Sequence, residues 1–345
     1  MNDIIPERNK RSGVCYACTD DGLEIPVIDL THSAFALDTD AINLDAMIDA
    51  FIAGLERSAK TPAALMRAAA ANSILVRGML DSSDTYTTGI MTYLHKLGPD
   101  NLGDGYAGPL DRQWAAGLTP LTFRWRMRDM ARLLAGHLRP ELERLPGRPV
   151  DLINIGGGPA ADSWNALLLL ARAGPTLLHD RRIRIHVLDL DPHGPSFGAR
   201  AVEALRAPGA PLAGLDVALT GITYDWQDPT LLRWILTELR SEAGLMATSS
   251  EGALFEYAAD GDIVANLAAL ADAAPRNMVV VGPVVRDSAT LDPRLRFSEH
   301  VPGRPAIRYL GLAHLSDLAH QAGWRVATTL DGPMHQVFQL VRQAG

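Results

Sequence analysis

Residues 150–162 read Val-Asp-Leu-Ile-Asn-Ile-Gly-Gly-Gly-Pro-Ala-Ala-Asp, an apolar β-type run that ends in three glycines and passes at once into a helix. Gly156, Gly157 and Gly158 would let the backbone approach a ligand closely. The new helix would present free N–H groups and the positive end of its dipole. Gly174-Pro175 closes that helix, glycine and proline being helix-stop residues. A glycine-rich strand-to-helix turn also serves plain packing, so the motif alone leaves ligand binding and packing both open.

The next β-type run supplies a second constraint. His186-Val-Leu-Asp189-Leu190-Asp191-Pro192 places an acidic residue at a strand end, where a carboxylate can take both hydroxyls of an adenosine ribose. The bland alternative is that Asp189 or Asp191 caps the following turn; two such features on consecutive strands favour the nucleoside. From Val150 onward, short β-rich runs alternate with helices, the pattern of a mostly parallel sheet. The expected strands are Val150–Ile155, Arg184–Leu190, Asp216–Thr223, Gly244–Thr248, Asn277–Val285, Arg325–Leu330 and Val337–Arg342. Only Asp331-Gly332-Pro333 separates the last two, too short for a parallel crossover, so the sheet must end in an antiparallel hairpin.

On these residues the segment 149–345 resembles the class I S-adenosylmethionine-dependent methyltransferases. Asn154-Ile-Gly-Gly-Gly-Pro-Ala stands where the family's first motif has Asp/Glu-x-Gly-x-Gly-x-Gly, and Val187-Leu-Asp189-Leu190-Asp-Pro is similar to its ribose-binding segment. Tyr224-Asp225-Trp226 is placed like the acidic residue that contacts adenine, and Trp324 to Arg342 is similar to the antiparallel seventh strand. The resemblance implies a doubly wound, seven-stranded sheet with S-adenosylmethionine as cofactor. It also implies a site made of Asn154, Gly156, Gly157, Gly158, Asp189, Leu190, Asp225, Trp226 and Ser249. Asn154 departs from the family's acid and Ala160 from its last glycine. The interval from Gly156 to Asp189 is longer than is usual, the extra length falling in the helix and the loop Pro175–Asp180.

A nicotinamide enzyme is the competing reading, since Gly156-x-Gly158-x-x-Ala161 also fits the dinucleotide fingerprint. The acid of that fingerprint lies about 20 residues on, however, and its sheet continues in parallel rather than ending in a hairpin. The fourth strand should end at the reaction centre. There the chain reads Ser249-Ser250-Glu251-Gly-Ala-Leu-Phe255-Glu256-Tyr257, more polar groups than a buried strand needs. Glu251 is the first candidate for a general base or an amine-binding group. Ser250 is a further polar candidate, and Tyr257 could donate a hydrogen bond or lay its face against a sulfonium. A solvated connection, with Asp260 capping the next helix, is the alternative.

Residues 1–148 differ in character. Val14-Cys15-Tyr-Ala-Cys18-Thr, Asp-Asp-Gly and Leu23-Glu-Ile-Pro-Val-Ile-Asp29 read as a β-hairpin, on which thiols three apart face opposite ways. Leu44, Met47, Ile48, Phe51, Ile52 and Leu55 mark one helix face. Thr61-Pro62 starts an alanine-rich helix to about Leu80, and Thr119-Pro120 starts another to about Leu138. On the latter, Arg124, Arg126, Arg128 and Arg132 read as a solvated face, and Pro140, Pro146 and Pro149 as a linker. The turn-rich stretch 98–109 suits a lid or an idle surface loop equally. A net charge of −8 argues against a nucleic-acid partner.

The apolar run Ala166–Ala171 is far short of the about 20 residues a membrane span needs. The N-terminus shows no signal-peptide core, so a cytoplasmic location is expected. His193, His300 and His335 read as surface or packing residues, and no metal is expected because no pair has ligand spacing. Trp164, Trp226 and Tyr106 are candidate walls for adenine or a small substrate. The expected architecture is a cap over residues 1–148 and a Rossmann-like cofactor domain over 149–345. The expected activity is methyl transfer to a small molecule, as in specialised metabolism. The alternatives are a cyclase or lyase that uses the cofactor as substrate and releases methylthioadenosine, and a non-catalytic cofactor-binding scaffold. A homodimer fits by fold analogy.

Overall fold

The computed structural model describes residues 10–81, 87–242, 244–295 and 307–343. Its centre is a seven-stranded sheet formed by β3 (Val150–Ile155), β4 (Arg182–Asp189), β5 (Asp216–Thr223), β6 (Leu245–Ser249), β7 (Val279–Val285), β8 (Trp324–Asp331) and β9 (His335–Arg342). The order across the sheet is β5-β4-β3-β6-β7-β9-β8. The first five strands are mutually parallel, and β9 runs antiparallel to both β7 and β8. Every residue of β3 and β7 is buried, as expected of strands covered on both faces. The expected strands all form, with ends shifted by at most two residues, and the short Asp331-Gly332-Pro333 connection does enforce the hairpin.

Helices cross between the parallel strands: α7 (Ala161–Ala173), α8 (His193–Arg206), α9 (Thr230–Arg240), and the pair α10 (Ala253–Tyr257) and α11 (Asp260–Ala273); α12 (Leu312–Gln321) precedes β8. The order reverses at β3, whose neighbours are β4 and β6. In such a sheet that switch point opens a crevice beyond the carboxyl ends of the strands, the usual place for a ligand.

The N-terminal part begins with the expected hairpin, β1 (Tyr16–Cys18) and β2 (Glu24–Pro26); Cys15 and Cys18 are both free thiols. The extended chain after β2 is tied to the rest by polar contacts. Ile28 N donates to the Tyr93 hydroxyl (2.8 Å), which donates to Pro26 O (2.9 Å), and Trp164 Nε1 donates to Ile28 O (2.9 Å). Leu23, Ile25, Val27 and Ile28 pack in one apolar cluster with β3 and β4 residues. The helices here are α1 (Leu44–Lys60), α2 (Ala63–Ala70), α3 (Ile74–Asp81), α4 (Gly89–Lys96), α5 (Pro109–Ala115) and α6 (Leu118–Arg144).

Two expectations need correction. The helix after Thr61-Pro62 is two helices, because the buried Asp111 takes Ser73 Oγ (2.6 Å) and Leu75 N (2.9 Å), and Ser73 caps α3 through Val76 N (3.0 Å). Pro140 lies inside α6 instead of in a linker; buried Leu138 and Leu142 flank it and carry the helix past the missing N–H. Among the described residues no helix is long and apolar enough to cross a membrane.

Candidate active site

The glycine turn has the geometry that its composition suggests. Gly156 (φ 62°) and Gly158 (φ 57°) are left-handed, and so is Ala160 (φ 62°), the residue before α7 that stands where the family has glycine. A Cβ on Gly156 would come within 2.6 Å of Ala253 Cβ and 3.3 Å of the Trp226 ring; one on Gly157 would strike Asn154 Oδ1 at 2.0 Å. Asp189 braces the turn. Its Oδ2 accepts from Gly158 N (2.9 Å) and its Oδ1 from Asp191 N (2.9 Å). Burial holds the Asp189 carboxyl above its ordinary range, and these N–H donors only partly oppose that.

The start of α4 lies against this turn. Gly89 has no side chain to spare: a Cβ there would sit 2.7 Å from Gly158 Cα and 3.3 Å from Gly194 Cα. Gly89 N also donates to Asp191 Oδ2 (3.3 Å). The N-terminal helices thereby roof the crevice of the sheet and enclose a cavity of about 480 Å³.

The wall of that cavity includes Gly156, Gly157, Gly158, Asp189, Leu190 and Trp226. It also carries Lys96, Arg126, Glu251, Glu256 and His335, with Phe123, Tyr257 and Tyr309. The charged side chains are 0–7% exposed and paired with one another. Lys96 Nζ donates to Glu251 Oε2 (2.7 Å), and Arg126 Nη1 donates to Glu256 Oε1 (2.5 Å). His335 Nε2 lies 3.1 Å from both Arg126 Nη1 and Glu256 Oε1. Arg126 Nε stands 3.6 Å from Glu251 Oε1.

Burial pushes the Lys96 ammonium down, against the pull of Glu251. It also pushes the His335 imidazole down, which keeps the ring neutral. Burial would raise Glu256, but Arg126 and His335 outweigh it and hold the carboxyl below its ordinary value. Beneath the glycine turn, Asp162 is fully buried and accepts from Asn154 Nδ2 (3.0 Å). Burial, and then the nearby Glu251 charge, raise it to about 6.

Of the residues singled out in the sequence, Gly156, Gly157, Gly158, Asp189, Leu190, Trp226, Glu251 and Tyr257 lie on the cavity wall. Asn154, Ser249 and Ser250 are buried behind it: Asn154 Nδ2 donates to Ser249 Oγ (3.0 Å), and Ser250 Oγ accepts from Leu254 N (3.3 Å). Asp225 is exposed, accepting from Gln227 N (3.0 Å), and is not on the wall. Trp164 is core, and no residue of 98–109, Tyr106 included, lines the cavity. His193 is on the surface beside Asp20, His335 faces the cavity, and His300 lies outside the described residues.

The arginines of α6 require a correction. Arg126 and Arg128 are buried and not a solvated face, because Glu256 and Glu251 neutralise the first and Asp129 the second. Sequence reasoning passed over Lys96, Arg126 and Glu256. Lysine is rare in this arginine-rich chain, at Lys10, Lys60 and Lys96. Lys60 and Lys96 both close a helix, however, and burial alone tells them apart.

No family model and no curated protein matches the sequence. Solved structures do. A possible exported protein from Bordetella parapertussis is similar over 90% of this chain and 100% of its own, at 17% identity and a TM-score of 0.55. The mitomycin 7-O-methyltransferase MmcR matches at 15% identity over 68% of this chain and 58% of its own, with a TM-score of 0.39. The magnesium protoporphyrin IX methyltransferase of Synechocystis, solved with bound SAH, matches at 14% identity over 66% and 89%, with a TM-score of 0.41. With five parallel strands in the doubly wound order and an antiparallel hairpin as its far edge, the chain has the fold of the class I S-adenosylmethionine-dependent methyltransferases.

Proposed function

We propose that the chain binds S-adenosylmethionine in the roofed cavity and transfers its methyl group to a small molecule of the kind modified in specialised metabolism. The observation that carries this reading is one continuous cavity at the switch point of the sheet. It joins the left-handed glycine turn, Asp189 and Trp226 to a buried acid–base cluster. The three glycines leave that stretch of the wall without side chains, Asp189 has lone pairs left for ribose hydroxyls, and Trp226 offers a flat face and Leu190 an apolar one for a base. The residues present thus fit a nucleoside. The antiparallel edge speaks against a nicotinamide enzyme, whose sheet continues in parallel.

The sulfonium supplies an already activated methyl group, so the protein's part is alignment and exclusion of water. Residues 1–148 act as the cap and residues 149–345 as the cofactor domain. Helix α4 shuts the crevice at Gly89, and Phe123, Tyr257 and Tyr309 line the space beside the charged groups. Glu251 would take a proton from an acceptor that must lose one.

A second reading, cyclisation of the cofactor with release of methylthioadenosine, is favoured by size. At about 480 Å³ the cavity lies in the lower part of the range of roughly 300–1,000 Å³ for sites of drug-sized ligands, leaving little beyond one nucleoside amino acid. Mass spectrometry of nucleosides after incubation with S-adenosylmethionine alone separates the readings. Cofactor that is bound but intact supports methyl transfer, released methylthioadenosine supports cyclisation, and failure to bind removes both.

A further inference from the structure

The buried charges around the cavity do not balance. Lys96 and Arg126 supply two positive charges, and burial keeps His335 neutral. Against them stand three buried carboxylates, those of Glu251, Glu256 and, behind the wall, Asp162. Both cations are already engaged: Lys96 pairs with Glu251, and Arg126 pairs with Glu256 and, at 3.6 Å, with Glu251. Among the described residues Asp162 has no ion pair, and its Oδ2 has no hydrogen-bond partner. Asp162 stands close enough to Glu251 and Lys96 to feel both charges, while Asn154, Ser163 and Ser249 are its uncharged polar neighbours. Asp189 and Asp191, also on the wall, add negative charge and no positive charge.

A buried charge without a partner is heavily disfavoured, so the cluster is short of one positive charge. A proton on Asp162 restores the balance, and burial together with the Glu251 charge lifts that carboxyl to about 6. Above that value the proton is mostly gone, and a cation from outside is what replaces it. A neutral guest leaves the deficit, and an anionic guest deepens it.

We infer that the cavity takes a monocationic guest, a sulfonium or an ammonium, whose charge and a proton on Asp162 replace one another. As the guest binds, one proton leaves Asp162 for solvent; as the guest departs or loses its charge, one proton returns. The inference rests on the proposed function only for which molecule brings the charge, the sulfonium of the cofactor or an ammonium on its acceptor. In the first case methyl transfer turns the sulfonium into a neutral thioether, so the site tells fresh cofactor from spent by charge.

The test compares charged and neutral guests of like shape on the full-length protein, by titration calorimetry at pH 5 and pH 7. Sinefungin, an unreactive cofactor analogue with an ammonium in place of the sulfonium, is paired with S-adenosylhomocysteine, which is neutral overall. Benzylamine, added to the protein loaded with S-adenosylhomocysteine, is paired with benzyl alcohol. Asp162→Asn, checked for folding by circular dichroism, is run beside wild type.

If the cofactor brings the charge, the preference for sinefungin over S-adenosylhomocysteine falls about tenfold from pH 7 to pH 5, because the proton competes for a group that titrates near 6. Titration in buffers of different ionisation heat then shows about half a proton released per sinefungin at pH 6, and none per S-adenosylhomocysteine. In Asp162→Asn the preference stays at or below the wild-type pH 5 value at both pH values. If an acceptor brings the charge, the sinefungin preference is flat with pH and benzylamine shows the tenfold fall instead. Preferences flat for both cations, or falls that persist in Asp162→Asn, overturn the inference and leave nucleoside binding intact. If no nucleoside binds, the cofactor reading fails, and benzylamine on the free protein decides the inference by the same fall and its loss in Asp162→Asn.

Discussion

The raised carboxyl of Asp162 gives a quantitative handle on the floor of the site. Asp162 is fully buried under the glycine turn, with Oδ1 on Asn154 and no hydrogen-bond partner for Oδ2 among the described residues. Its value rises from 3.8 to about 6, so between those values the folded protein holds a proton that the unfolded chain has released. Stability is therefore fully retained below the unfolded value and lost as pH rises toward the folded one. At 1.36 kcal/mol per unit, the cost is about 1 kcal/mol at pH 4.5 and about 3 kcal/mol at pH 8.

Asp162→Asn keeps an oxygen for Asn154 and removes the charge. Its new N–H₂ group adds a fixed penalty of about 1–3 kcal/mol if unpaired, and that penalty does not vary with pH. The variant should consequently gain about 2 kcal/mol on wild type between pH 4.5 and pH 8, read from urea unfolding followed by tryptophan fluorescence. Parallel stability curves for the two proteins would refute the reasoning.

Three further outcomes follow from the same geometry. Lys96→Met should cost about 3–5 kcal/mol in urea unfolding, because Glu251 is left buried with Arg126 at 3.6 Å; adding Glu251→Met should restore much of it. Gly89→Ala should destabilise by about 1–3 kcal/mol in the same assay, since its Cβ would meet Gly158 Cα at 2.7 Å and backbone must shift. Asp189→Asn should weaken S-adenosylhomocysteine binding on the order of 10–100-fold by calorimetry, as a charged acceptor for ribose becomes a neutral amide.

The sheet was legible because its signals are local: buried β runs, a glycine turn, and a connection too short for a crossover. The place of Gly156–Gly158 and Asp189 on the cavity wall was legible for the same reason, since they sit at the ends of adjacent strands. The charged groups on the wall were not. Lys96 closes a short helix, where a cation ordinarily faces water beside the helix dipole, and Arg126 belongs to a run of arginines that imitates a solvated face. Only the packing of α4 and α6 over the sheet brings them to Glu251 and Glu256, 155 and 130 residues away in sequence. The break at Ser73 was hidden likewise, because Asp111, which stabilises it, lies on another helix.

The most direct test of the central claim is a calorimetric titration of the wild-type protein with S-adenosylhomocysteine. Saturable binding of one molecule per chain, weakened in Asp189→Asn, is the predicted result. Absence of binding by the folded protein, or binding indifferent to Asp189, would contradict the assignment of this cavity to the cofactor.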